Sequence, residues 1–108
     1  MSRITEKQMR IPALRAMSSR QGGFVTTTDL IAELRTVMQP SGYDLQPLSG
    51  RSDDYFSQRV RNTISHKSQR GNIIHEGYAE HDEQAKGVRI TPAGRAFLSQ
   101  IDAQQTFP

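Results

Sequence analysis

Glycine and proline punctuate this chain so closely that it can hold only short helices and strands. The breaks fall at Gly22-Gly23, at Pro40, Gly42, Pro47 and Gly50, at Gly71, at Gly77 and Gly87, and at Pro92. Residues 1–9 have no apolar period and read as a flexible lead. Pro12 suits the first position of a helix because it lacks a donor there, and Ala13, Leu14, Ala16 and Met17 supply a short apolar stripe. The first helix is therefore expected over Pro12–Ser19. Phe24-Val25 reads as an extended stub. Thr26 followed by Asp29 resembles a capping box, and Leu30, Ile31, Leu34, Val37 and Met38 recur at helical spacing, predicting a second helix over Thr27–Met38.

Residues 39–51 read as a long loop, a composition that stops both helix and strand. A third helix is expected over residues 52–70, capped by Ser52, with Asp53 and Asp54 at its positive end. Phe56, Val60 and Ile64 form its buried stripe, and Lys67 and Arg70 stand before the stop at Gly71. Asn72-Ile73-Ile74-His75-Glu76 reads as a strand, residues 77–87 as a long acidic tip, and Val88-Arg89-Ile90 as the returning strand. Thr91 and Pro92 then open a last helix with Ala93, Ala96, Phe97 and Ile101 inward, and residues 103–108 read as a flexible tail. The predicted class is α+β, a small winged helix-turn-helix domain over residues 10–102 with three helices, a two-stranded hairpin wing and a C-terminal helix.

The chain has 108 residues, of which 34% are apolar, enough for one light core and too few for separate cofactor and substrate domains. There is no cysteine, hence no disulfide frame and no thiolate chemistry, and no apolar run reaches signal or membrane length. These features predict a soluble, cytoplasmic chain. The net charge of +3 is unevenly spread: +4 over residues 1–22, −2 over 23–50, +3 over 51–71 and −2 over 72–90. The second basic block coincides with the third helix, where no Asp or Glu occurs from Tyr55 to Gln69.

Arg59-Val60-Arg61-Asn62-Thr63-Ile64-Ser65, the stop at Gly71, and Ile90-Thr91-Pro92-Ala93-Gly94-Arg95-Ala96-Phe97-Leu98 carry a resemblance. Together with Ile11-Pro12-Ala13-Leu14 and Gly22-Gly23 they resemble the winged-helix module at the N-terminus of Mrr-type restriction endonucleases, over about residues 10–100. Lys67 and Asn72 stand where that family has apolar residues. The resemblance implies a DNA-binding module joined to a separate nuclease domain, which 108 residues are too few to contain.

Helical phase puts Gln58, Asn62, Ser65 and Gln69 opposite the buried stripe, with Arg61 on one shoulder and Arg59 and His66 on the other. Arg reads guanine, and Asn or Gln reads adenine, through paired hydrogen bonds in the major groove of double-stranded DNA. Arg70 and, on the second wing strand, Arg89 join this expected set, while Arg15, Arg20 and Arg51 are expected to touch the phosphate backbone. The acidic tip, with Glu80, Asp82 and Glu83, is expected to point away from phosphate or to meet a protein partner. A homodimer would let two such helices read two half-sites. The alternative is a protein-interaction or dimerisation module that uses the acidic hairpin and the 39–51 loop.

Catalytic signals are weak. His66, His75 and His81 lack the i,i+4 spacing of a helical metal site, and Glu83 and Lys86 are one residue too far apart for a nuclease Glu-x-Lys. No phosphate loop or nucleophile triad is present in the sequence, so neither catalytic nor metal residues, nor a cofactor or small-molecule ligand, are expected.

Overall fold

Thr5 begins the first helix. Its hydroxyl accepts from the Gln8 amide at 3.2 Å and the Gln8 side chain accepts from the Thr5 amide at 2.9 Å, a complete capping box. The computed structural model describes residues 4–47 and 54–105, and in it α1 runs Glu6–Ser18 rather than from Pro12. Residues 6–9 are thus helix, not lead. Pro12 sits inside α1, where it removes one backbone hydrogen bond. Burial of Met9 and Ala13 on the same face outweighs that loss.

The chain then passes a 3₁₀ turn at Gln21–Gly23 into β1, Phe24–Thr26, and α2, Thr27–Met38. Thr26 caps α2 by accepting from the Asp29 amide, and Leu30 and Leu34 face the core as the spacing predicts. Val37 does not; it is 62% exposed. The 39–51 loop carries a second 3₁₀ turn, Gly42–Leu45, and Pro47 forms a single bridge to Asp54.

Helix α3 spans Tyr55–Ser65 with Asp54 as its cap, accepting from the Ser57 amide at 2.8 Å. Ser52, the expected cap, and Asp53, expected in the first turn, lie outside the described residues. The helix stops six residues before Gly71, and the cause is Asn72. Its carboxamide donates to the Thr63 carbonyl at 2.8 Å and accepts from the Ile74 amide at 2.8 Å, which folds the chain back across the helix end. The same contacts hold residues 73–77 in turns, so the strand expected at Asn72–Glu76 does not form.

The first strand of the hairpin is instead β2, Ala79–Asp82, within the stretch read as an acidic tip. It pairs antiparallel with β3, Gly87–Ile90, in the register Ala79↔Ile90 through Asp82↔Gly87, leaving a turn of only four residues, 83–86. The opposite edge of β3 takes β1, with Val25 across from Val88, so the sheet has three strands in the order β1-β3-β2.

Helix α4 runs Pro92–Gln105, past the expected start of the tail. Thr91 opens it as predicted, accepting from the Gly94 amide at 3.0 Å and donating to the Gly77 carbonyl at 2.6 Å. Its inward residues are Gly94 and Leu98, with Phe97 stacked on Tyr78 at 4.4 Å; Ala93 and Ala96 are exposed. α1 touches α2, α3, α4 and β3, and Leu14, Met17, Leu34, Phe56, Val60 and Val88 join it in one core. The described residues form a small α+β domain of four α-helices and a three-stranded antiparallel sheet. No helix among them is long and apolar enough to cross a membrane.

Candidate nucleic-acid interface

The inner face of α3 is Phe56, Ser57, Val60 and Thr63, all buried, with Ile64 packed at the core edge. Burial of that face turns Gln58, Arg61, Asn62 and Ser65 outward, and none of these four is buried. The Gln58 amide donates to the Asn62 carboxamide oxygen at 3.1 Å, so the two amides form one linked surface along a helical turn. No carboxylate interrupts α3 from Tyr55 to Ser65.

The start of α3 is locked to α2 by one guanidinium. Arg35 donates to both oxygens of Asp54, at 3.0 and 3.3 Å, and to the Ser57 hydroxyl at 2.7 Å, and it lies over the Phe56 ring at 5.3 Å. Burial raises the Asp54 pKa. Hydrogen bonds from Arg35 and from the Ser57 amide and hydroxyl, with the Arg35 charge, outweigh burial and hold the carboxyl below its ordinary 3.8. A depressed folded-state pKa contributes stability above the ordinary value, which fades as pH falls below about 3.8 through the lowered one. Urea unfolding should therefore find Asp54→Asn less stable than wild type at pH 7, with the gap closing toward pH 2. A gap independent of pH would contradict the charge assignment.

Arg59 is not part of the outward surface. It donates to the Asp44 carboxylate at 2.7 Å and to the Ile4 carbonyl at 2.8 Å, while the other Asp44 oxygen accepts from the Ile4 amide at 3.0 Å. The Asp44 side chain is 2% exposed and that of Arg59 15%. This pair ties the 42–45 turn and the start of the described chain to α3, a structural role in place of the expected base contact. Tyr43 reinforces the tie by stacking on Tyr55 at 4.7 Å.

His66, Gln69 and Arg70 lie beyond the end of α3 instead of on its face. His66 is bonded through Nδ1 to the Glu6 carboxylate at 2.8 Å, and all three border a cleft against α1. Arg89 stands on the outer face of the sheet, opposite Glu80 in the ladder, 3.9 Å from Asp82 and 5.1 Å from the Phe24 ring centre. Arg15 pairs with Asp102 at 2.8 Å, and Arg20 with Glu33 at 3.0 Å and Asp29 at 3.8 Å. Arg51 lies outside the described residues. Of the expected set, the fold thus gathers Gln58, Arg61, Asn62 and Ser65 on one face and His66, Gln69 and Arg70 at one end. It places Arg15, Arg20 and Arg89 elsewhere, each beside a carboxylate.

Lys7 and Arg10, which border the same cleft, were invisible as site residues because their segment lacks an apolar period; the Thr5-x-x-Gln8 capping signature is the signal that places them on a helix. Compared with protein-family models, curated proteins and solved structures, the chain has no match.

Proposed function

We propose that this chain is a winged-helix DNA-binding module whose α3 enters the major groove. The observation that carries this reading is the outer face of α3: a continuous Gln58, Arg61, Asn62 and Ser65 surface with no carboxylate, on a helix whose other face is held in the core. Three further features support it. The order helix, strand, helix, helix, hairpin, with the first strand joining the hairpin, is compatible with a winged helix; Arg35 clamps α2 against α3; and the sequence resembles the Mrr-type N-terminal module. On this reading the module is an accessory or regulatory part of a restriction or transcription system and has no catalytic role of its own.

The wing, β2 and β3 with the turn between them, carries Glu80, Asp82 and Glu83 against Lys86 and Arg89, so phosphate repels it and it faces away from the duplex. Fluorescence anisotropy with a labelled mixed-sequence duplex tests the reading. Binding should fall with salt at a log–log slope of about −3 to −6. Arg61→Ala and Asn62→Ala should each weaken binding to a preferred sequence by about 1–3 kcal/mol. Unchanged affinity in both variants would contradict this docking.

One observation favours a second reading, a protein-interaction or dimerisation module: Val37 and Leu45 are large apolar side chains 62% and 46% exposed at the end of α2 and in the following turn. Absence of salt-sensitive duplex binding at low salt would shift the assignment to that surface.

A further inference from the structure

We infer that the cleft between the first turns of α1 and the turn that follows α3 binds a phosphate-type oxyanion. The cleft holds about 370 Å³ and is bordered by Lys7, Arg10, His66, Gln69 and Arg70, with Glu6 beside them. That volume lies in the lower range of small-ligand sites, ample for a phosphate ester of nucleotide size. The inference does not rest on the reading of α3 as a groove-binding helix.

Around the cleft, hydrogen-bond donors outnumber the acceptors shown to be unoccupied. Backbone carbonyls would repel an anion, and six of those at the end of α3 and in its turn are already taken. Asn62 O accepts from the His66 amide, Thr63 O from the Asn72 side chain, and Ile64 O from the Lys67 amide. His66 O accepts from the Gln69 amide, Gln69 O from the Asn72 amide, and Gly71 O from Arg10 Nη1. Both oxygens of Glu6 face His66 Nδ1, at 2.8 and 3.1 Å, and Glu76 accepts from the Gly71 amide at 3.0 Å.

The donors are in surplus. Arg10 spends one N–H on Gly71 and one on the Lys7 carbonyl, and a guanidinium has five. Lys7 and Arg70 are exposed and form no ion pair among the described residues. Three cations therefore converge on a cleft whose one lining carboxylate is turned to a histidine. The start of α1 adds the positive end of its dipole. Tips approaching from two elements suit the several oxygens of a phosphate better than the two of a carboxylate. The ligand is either a free phosphate monoester or a phosphodiester of a nucleic-acid backbone, which share this chemistry.

Two-dimensional ¹H–¹⁵N NMR of the full chain, titrated with inorganic phosphate and then with adenosine monophosphate at constant ionic strength set by chloride, tests the site. Saturable shifts are expected at the amides of Lys7, Gln69, Arg70 and Gly71. The Lys7→Ala/Arg70→Ala double variant should weaken the apparent affinity about tenfold or more, since each lost charge-assisted bond contributes about that much. Arg15→Ala, which removes a cation at the other end of α1, should leave it unchanged. Duplex binding in the double variant identifies the source: a loss of affinity marks a backbone phosphodiester, and unchanged duplex binding with weakened nucleotide binding marks a free monoester. Unsaturable shifts with both small probes together with unchanged duplex binding would overturn the site. Should the wild type bind no duplex at all, the reading of α3 fails, while the phosphate and nucleotide arms still decide this one.

Discussion

Replacing Arg59 with alanine should destabilise the domain by about 3–5 kcal/mol, because it strands a buried carboxylate without its partner. Asp44 has 2% side-chain exposure and depends on Arg59 and the Ile4 amide for its hydrogen bonds. The effect should exceed that of Arg61→Ala, two residues along the same helix, which changes a partly exposed side chain. Replacing both members, Arg59→Met with Asp44→Leu, should recover much of the loss, since an apolar pair of similar size leaves no charge to bury. Urea unfolding of the three variants checks this. A cost below about 1 kcal/mol for Arg59→Ala would mean that the pair is solvated, as an exposed ion pair is.

Gly94→Ala should also destabilise, although alanine is favoured over glycine inside a helix by about 1 kcal/mol. A Cβ built at Gly94 runs into the Tyr78 carbonyl oxygen and sits 2.7 Å from Ile90 Cγ1. The carbonyl cannot yield easily. It accepts from the Thr91 amide at 3.0 Å, and the Tyr78 ring is stacked on Phe97. Relief requires lifting α4 from the sheet, an overpacking cost of about 1–3 kcal/mol, or more where backbone must move. Thermal unfolding gives the sign directly, and a rise in the melting temperature would show that α4 does not approach Tyr78 this closely.

How much of this was legible in the sequence depends on how far away each cause lies. α2 and the start of α4 were readable because Thr26 and Thr91 act on amides three residues along, and glycine or proline stands nearby. The start of α1 has an equally local signal in Thr5 and Gln8, but Pro12 competes with it as a first-turn residue, and only the burial of Met9 decides between them. β2 shows no apolar alternation; Glu80, His81 and Asp82 become a strand because β3 offers a ladder, a long-range condition. The end of α3 turns on the Asn72 side chain reaching back nine residues.

The same distinction divides the candidate site. Gln58 and Asn62 face outward as helical periodicity requires, because Phe56 and Val60 fix the opposite face. Arg59 stands on a shoulder of that face by phase, yet its partner lies 15 residues upstream in the 3₁₀ turn. Periodicity carries no record of that contact.

Mapping by ¹H–¹⁵N NMR shows whether the outer face of α3 meets DNA. On addition of a short mixed-sequence duplex at low salt, the backbone amides of Gln58, Arg61, Asn62 and Ser65 and the side-chain amides of Gln58 and Asn62 should shift most. Shifts confined to Val37, Leu45 and the wing from Glu80 to Lys86, or no shifts at all, would contradict it.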